Sequence, residues 1–394
     1  MDDLLYQYNR WREEPLTLPG VYRRERYIRY LREHVRPGRV VLVTGLRRVG
    51  KTTLMRLLVE ELISAGVDPR TILYVSADDY LLREHSLLEV VDSFRRIQKL
   101  PVDSAVTLLF DEVASKNDCQ QQLKTLVDRD NCSVVASSSS ASLLKDTGGL
   151  LTGRSTTLEV QPLSFSEYLE FRQIRIARRD RQLLDSYFRE YVRAGGLPEH
   201  AGSPDREYLM TLVDNIIQKD ITAFRGLRDH QLLRDYFTLL MERSGKQVSI
   251  NKIANILKLS PDTARRYLSY FEESYLVHPV SRWGRTNERL LSPRKVYACD
   301  LGIKHLFVGD RDWGSYFENH VYLRLRERDK RIYYVYEDGI ELDFRTADGL
   351  LLEAKYHDSL TEKEQQLFDA HEAREKIVVD SVEALSDISV LRET

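Results

Sequence analysis

The stretch Gly45-Leu46-Arg47-Arg48-Val49-Gly50-Lys51-Thr52 has the glycine, lysine and threonine spacing of a loop that cradles the phosphates of a nucleoside triphosphate. Gly45 and Gly50 let backbone N–H groups approach the phosphates without a Cβ in the way, so Arg48, Val49 and the helix start at Thr53 belong to the nucleotide-binding set. Lys51 is placed to contact the β- and γ-phosphates and Thr52 to ligate Mg²⁺. Hydrolysis needs a second group, which Thr107-Leu108-Leu109-Phe110-Asp111-Glu112 supplies. An apolar strand ending in two carboxylates sets Asp111 beside the Mg²⁺ shell and Glu112 where it can orient and deprotonate the attacking water. After the strand Ser133-Val134-Val135-Ala136 come Ser137, Ser138, Ser139 and Ser140, whose hydroxyls either sense the γ-phosphate or form a flexible turn. Arg154 is either a guanidinium for transition-state charge, in cis or across a subunit contact, or one end of a surface salt bridge.

These groups must be carried by a scaffold. Val40-Val41-Leu42-Val43 reads as a buried strand entering the loop, and Thr53 to Val59 as a helix leaving it. Strand signals at Ile72-Leu73-Tyr74-Val75, at the carboxylates and before the serines alternate with helices across 39–170, which predicts a parallel sheet with helices on both faces. Residues 171–245 read as a helical lid interrupted by the turn Gly195-Gly196-Leu197-Pro198. At 394 residues the chain exceeds one ordinary core, so more than one domain is expected. With 42% hydrophobic and 30% charged residues it has the composition of a soluble globular protein, and no apolar run approaches a membrane span. Met1-Asp2-Asp3 lacks signal-peptide character, and Cys119, Cys132 and Cys299 are too scattered for a disulfide frame or a zinc site, which predicts a reducing cytoplasm and no membrane partner. A net charge of −2 conceals an arginine run from Arg23 to Arg39, most of it in the basic segment 1–38; such a run usually decorates a solvated helix.

Residues 246–290 change pattern. A helix from Ile250 to Leu257 is followed by a break at Leu259-Ser260-Pro261 and a second helix from Asp262 to Glu273, with Ser260 as cap and Pro261 in the first turn. Two short helices, a tight turn and a strand at Tyr275-Leu276-Val277 predict a winged helix-turn-helix. Ala264, Tyr267, Leu268 and Phe271 form the buried stripe, leaving Arg265 and Arg266 outward for DNA. Such modules also serve as interdomain packing units.

A second chemical signal lies in residues 291–394. Ile340 to Arg345 and Leu350 to Lys355 flank a three-residue loop ending in Gly349, which suits a type I turn with glycine left-handed. Counting back from the loop, Phe344 faces Leu352 and Asp343 faces Glu353. Alternation puts Leu342, Phe344, Leu350, Leu352 and Ala354 on one face and Asp343, Glu353 and Lys355 on the other. Opposed carboxylates repel, so the pair needs a compensating cation, for which Mg²⁺ or Mn²⁺ suits oxygen ligands. Glu318, on a helix stripe with Val321, Tyr322 and Leu325, is an expensive apolar position for an acid unless it helps bind the ion. Lys355 would then stabilise the phosphate or position the water. The plainer alternative is a surface hairpin on which Lys355 offsets two acids.

Asp343 with Glu353-Ala354-Lys355, and Glu318 on the preceding helix, resembles a PD-(D/E)XK restriction-endonuclease-like site. The phosphate loop resembles that of prokaryotic AAA+ ATPases that carry such a domain at the C-terminus. Leu151-Thr152-Gly153-Arg154, Pro162-Leu163-Ser164-Phe165, Gly195 to Pro198 and Lys295-Val296-Tyr297-Ala298-Cys299-Asp300 match recurring segments of that family. The resemblance covers residue 25 or so to the end. It implies an α/β chain in which a P-loop ATPase sheet (39–170) is followed by a helical lid, a winged helix and a restriction-endonuclease-like domain. ATP and Mg²⁺ would be the cofactors, and DNA and further copies of the chain the partners. Nucleotide state would govern a metal-dependent nuclease, or a nuclease-like fold that only binds DNA or a partner protein. Where the family has a Thr-Gly-Ser-Ser-like sensor segment this chain has Ala136-Ser137-Ser138-Ser139-Ser140, which leaves the sensor residue open.

Overall fold

Five short strands rich in Val, Leu and Ile open the structure: β1 (Arg39–Thr44), β2 (Ile72–Ser76), β3 (Val106–Asp111), β4 (Cys132–Ser138) and β5 (Ser155–Glu159). They form one sheet in the order β2-β3-β4-β1-β5, and every pairing in it is parallel. Parallel strands need crossover connections, and the helices that make them cover both faces. Val40 to Val43 are accordingly 0–1% exposed on either side of the strand. The computed structural model describes residues 1–388 apart from 15, 130, 142–149, 224, 228 and 329–330, which divide into two compact units, Met1–Val160 and Gln161–Thr394.

The segment before β1 is built into the first unit. Leu5, Ile28 and Leu31 are buried. Asn9 closes the open edge of the sheet, its Oδ1 accepting from Tyr74 N at 2.7 Å and its Nδ2 donating to Tyr74 O at 3.0 Å. Two arginines of the run meet the unit's own acids: Arg23 pairs with Glu25, Glu60 and Glu61, and Arg32 with Glu61. Solvated ion pairs, rather than a nucleic-acid surface, account for these two side chains.

The second unit begins with helices, among them Phe165–Phe171, Leu184–Ala194, Arg206–Asn215 and His230–Glu242. Strands β6 (Gln247–Val248), β7 (Val277–Arg282), β8 (Arg294–Ala298), β9 (Ile332–Glu337), β10 (Ile340–Thr346), β11 (Leu350–Ala354) and β12 (Glu375–Val379) follow. They form a single sheet in the order β12-β11-β10-β9-β7-β8-β6. The boundary expected at residue 290 therefore falls between β7 and β8, which pair with each other through Val277↔Ala298 to Val280↔Lys295. Strand β7 then changes partner: Ser281 and Arg282 pair with Tyr333 and Tyr334 of β9.

Two segments noted separately in the sequence meet at one junction. Asp300 accepts from Gly196 N at 2.6 Å and from Ile303 N at 2.9 Å, which caps the helix Leu301–Val308 and ties it to the Gly195-Gly196 turn. A Cβ on Gly196 would lie 2.3 Å from Leu163 O, and one on Gly195 would lie 2.4 Å from Asp300 Oδ1. Both glycines are thus required by close approach.

The core of this unit buries His320 among Phe165, Phe188 and Tyr191, with ring centroids 5.1–6.1 Å apart. Burial, aided by the Arg324 charge, lowers its pKa to about 3. The unfolded chain takes up this proton near pH 6.5 and the folded one does not, so the histidine's contribution to stability is present above that pH and is lost as pH falls toward 3. His320→Leu should flatten the stability profile, shrinking the loss between pH 7 and pH 5 by about 2 kcal/mol, as read from urea midpoints at the two pH values.

Candidate functional site

The loop residues 45–50 turn out of β1 into the helix Lys51–Ser64, with Gly50 at φ +100° as its N-cap. A Cβ on Gly45 would sit 2.2 Å from Val160 O, while one on Gly50 would meet nothing within 4 Å. Gly45 is thus required by the scaffold and Gly50 by its backbone angle. Val49 is fully buried and Arg48 exposed. Lys51 is 4% exposed, its ammonium donating to Gly45 O at 3.0 Å, Leu46 O at 3.1 Å and Ser139 Oγ at 3.2 Å.

The sheet order decides what stands beside this lysine. β4 lies between β1 and β3, so Ala136 is flanked by Leu42 on one side and Phe110 on the other. The carboxyl ends of β1, β4 and β3 then present the loop, the serines and the acids along one edge, where open α/β sheets hold ligands. Asp111 is buried and accepts from Thr52 Oγ1 at 2.5 Å, from Tyr74 OH at 3.0 Å and from Ser137 Oγ. Burial raises the pKa of the Tyr74 hydroxyl, and the Asp111 charge adds to the shift, so Tyr74 stays a donor. Glu112 adopts φ +50°, a left-handed conformation costing about 1–2 kcal/mol outside glycine. Its backbone N–H donates to Ser137 Oγ at 2.9 Å, and its carboxylate accepts from Ser139 Oγ at 2.5 Å and Ser139 N at 3.3 Å. Of the two readings of the serine run, the flexible turn does not describe Ser137 and Ser138, which end β4, or Ser139, which joins Lys51 to Glu112. Thr52 and Asp111 present oxygen donors within 2.5 Å of each other at a helix N-terminus, a donor set that fits Mg²⁺.

Arg154 is not brought to this edge. Its carbonyl accepts from Val40 N at 2.9 Å, at the start of β1, so the strand's length, about 16 Å, separates it from the loop. Its guanidinium pairs with Asp128. A contribution in cis is thereby corrected to a salt bridge, because parallel pairing of β5 with β1 puts Arg154 at the amino end of the sheet.

In the second unit the helix Pro261–Glu273 buries Ala264, Tyr267, Leu268 and Phe271 and leaves Arg265 and Arg266 exposed. Arg265 pairs with Asp262 at 2.9 Å, both side chains well exposed, so the contact contributes little.

The hairpin has the register counted from its loop: Phe344↔Leu352 and Arg345↔Leu351, with Gly349 at φ +102°. The facing of its side chains differs from simple alternation. Leu342 pairs with Val335 while Arg345 pairs with Tyr333, so a bulge inserts an extra residue in β10 around Asp343. Leu342 consequently packs with Val335, Leu351 and Phe368, whereas Phe344 lies against Tyr297 and Tyr322. The bulge re-aims Asp343, whose backbone N–H donates to Glu353 Oε2 at 2.8 Å.

Glu318, Asp343 and Lys355 line one open cavity of about 260 Å³ with Lys246, Ser315 and Tyr356. The cation among the acids is a residue that sequence reasoning missed. Lys295, fully buried, sets its ammonium 2.6 Å from Glu318 Oε1, 2.7 Å from Glu341 Oε1 and 3.1 Å from Asp343 Oδ1. The signal for it was a lysine beside Val296-Tyr297-Ala298, a run buried on both faces. Burial works against the Lys295 charge, and Glu318, Asp343 and Glu341 more than offset it, so its pKa is raised. Desolvation, then the Asp343 charge, raises the Glu318 carboxyl to about 7, and the same two causes raise Glu353. Lys355 lies 2.9 Å from Glu364 and 3.2 Å from Glu353.

This donor set does not fit a divalent ion. Asp343 Oδ2 accepts from Ala354 N at 3.1 Å and Glu341 Oε2 from Gln247 at 2.6 Å, while Asp343 Oδ1 and Glu341 Oε1 meet Lys295; Glu318 Oε1 both accepts from Tyr297 OH at 2.6 Å and meets Lys295. Among the described residues no group of three or more His, Cys, Asp or Glu side chains could hold a metal. The expected shell of Glu318, Asp343 and Glu353 is divided instead between Lys295 and Lys355.

Residues 37–169 match a family model described as an AAA domain, and residues 185–312 one described as a domain of unknown function, DUF8612. The chain is 25% identical over 365 residues to an uncharacterised protein of Methanocaldococcus jannaschii, covering 88% of this chain and 81% of that one. It is 26% identical over 345 residues to an uncharacterised protein of Haemophilus influenzae, covering 83% and 85%. Among solved structures it is similar to a Walker-type ATPase of Pyrococcus abyssi, at a TM-score of 0.48 and 15% identity over 75% of this chain and 98% of that one. The Aeropyrum pernix ORC1 protein in complex with DNA aligns at a TM-score of 0.33 and 16% identity, over 77% and 96%.

Ser139 touches both the loop lysine and the acid, so Ser139→Ala should lower kcat for ATP hydrolysis roughly 10- to 100-fold, the worth of a hydrogen bond to a charged group. Ser140→Ala, one residue on, should leave it near the parent value in the same steady-state assay.

Proposed function

We propose that the chain is an ATP-driven switch whose second unit holds DNA, a reading supported by the match of residues 37–169 to the model of an AAA domain. The observation that carries hydrolysis is the line Lys51, Ser139, Glu112 along the carboxyl edge of the sheet. Lys51 contacts the β- and γ-phosphates, Ser139 fixes the Glu112 carboxylate, and Glu112 takes the proton of the attacking water. Mg²⁺, held by Thr52 and Asp111, would supply neutralisation of the phosphate charge. Lys51→Ala should abolish nucleotide binding, whereas Glu112→Gln should still bind ATP yet lose about 10²- to 10⁴-fold in turnover. Parent-rate turnover by Glu112→Gln would move the catalytic base elsewhere. A guanidinium from Arg154 can serve only a neighbouring copy of the chain, so Arg154→Ala should lower activity only if the specific ATPase rate rises with protein concentration.

For the second unit, the order helix His230–Glu242, β6, two helices, β7, the short helix Thr286–Leu291 and β8 supports reading it as a winged helix-turn-helix, with the exposed Arg265 and Arg266 on its DNA face. Replacing both with alanine should weaken duplex binding and reduce the salt slope by about two; unchanged affinity and slope would leave the module to packing. The sheet with β10 and β11 reads as a restriction-endonuclease-like fold. Lys295 among its acids supports binding without cleavage. A metal-dependent nuclease is the second reading, favoured by the common cavity of Glu318, Asp343 and Lys355. Plasmid nicking in Mg²⁺ that disappears in Lys355→Ala would establish it over the first.

A further inference from the structure

In the sheet order, β8 and β10 are separated by β7 and β9, yet Lys295 of β8 touches Glu341 and Asp343 of β10. The contact requires the sheet to fold over itself, and β7 provides the crease: Val277 to Val280 pair with β8, while only Ser281 and Arg282 pair with β9. The helix Trp313–Arg326 brings Glu318 from a third direction. The β10 bulge aims Asp343 at the same point. Three acids from a helix and a strand thus converge on one ammonium that is 0% exposed. A buried cation of this kind is costly unless paired, and a buried cluster of carboxylates is costly without a cation.

We propose that Lys295 is the built-in cation of this cluster: the second unit assembles Glu318, Glu341 and Asp343 around a lysine in place of a divalent metal ion. The inference deepens the reading of this unit as a binding rather than a cleaving fold, and it is tested without nucleotide or DNA, so that its failure is separate from failure of the switch. With Lys295 in place the cluster takes up no divalent ion; with the ammonium removed, the same oxygens become a metal site. Lys355 cannot take over the role, because its ammonium lies between Glu353 and Glu364.

The test uses the full chain and Mn²⁺ as probe, counting bound ions by electron paramagnetic resonance and following the melting temperature in EDTA and in Mn²⁺. For the parent, EDTA should leave the melting temperature unchanged, and Asp343→Asn should leave the Mn²⁺ isotherm unchanged. Lys295→Met should melt several degrees lower in EDTA, recover in Mn²⁺, and gain one bound ion that Asp343→Asn removes again. Should Lys295→Met fail to fold, the charge-balanced Lys295→Met/Glu341→Gln protein serves in its place. A parent ion lost in Asp343→Asn, or a folded lysine-less protein that takes up no additional Mn²⁺, would overturn the proposal.

Discussion

A charge taken out of water costs several kcal/mol unless a partner meets it, and both chemical centres of this protein are organised by that constraint. Lys51 at 4% exposure, Asp111 at 3%, Lys295 at 0% and Glu353 at 2% lie where a lone charge would not be tolerated. Each therefore dictates what surrounds it. Lys51 takes two loop carbonyls and a serine, and Asp111 takes three hydroxyls. Lys295 takes three carboxylates. Asp300 follows the same rule with backbone N–H groups, and in doing so fastens the Gly195-Gly196 turn to the helix after β8.

The two units satisfy the constraint by different means. In the first, parallel pairing aligns the ends of β1, β4 and β3, so hydroxyls and carboxylates arrive on one edge. That edge leaves Thr52 and Asp111 as a pair of oxygen donors suited to a small hard cation. In the second unit the acids come from a helix and a bulged strand, and the cation comes from a strand three places away in the sheet. The pattern of carboxylates and lysine that suggests a metal site in the sequence is present, but an internal ammonium occupies its centre.

Local rules were legible wherever the chemistry is local. The phosphate loop, the strand into it and the helix out of it follow from glycine spacing and an apolar run. The buried stripe of the helix Pro261–Glu273 follows from its 3.6-residue period. The hairpin register follows from loop length and Gly349. Even there, the bulge at Asp343 escaped, because nothing in Leu342-Asp343-Phe344 distinguishes a bulged strand from a regular one. The serine run is a similar case: hydroxyls suit a turn or a strand end equally, and only the position of β4 between β1 and β3 makes Ser137 and Ser139 partners of Asp111, Glu112 and Lys51.

By itself the sequence determined the residues able to bind phosphate, activate water and form the apolar stripes, since these depend on residue type and short-range period. Only the tertiary structure decided which distant groups meet. Parallel pairing carried Arg154 to the far edge of the sheet, and the crease in β7 carried Lys295 onto β10. Asn9, 65 residues from Tyr74, closes an open strand edge. Such contacts depend on strand order and sheet curvature, which the packing of whole elements sets and no local pattern of side chains encodes.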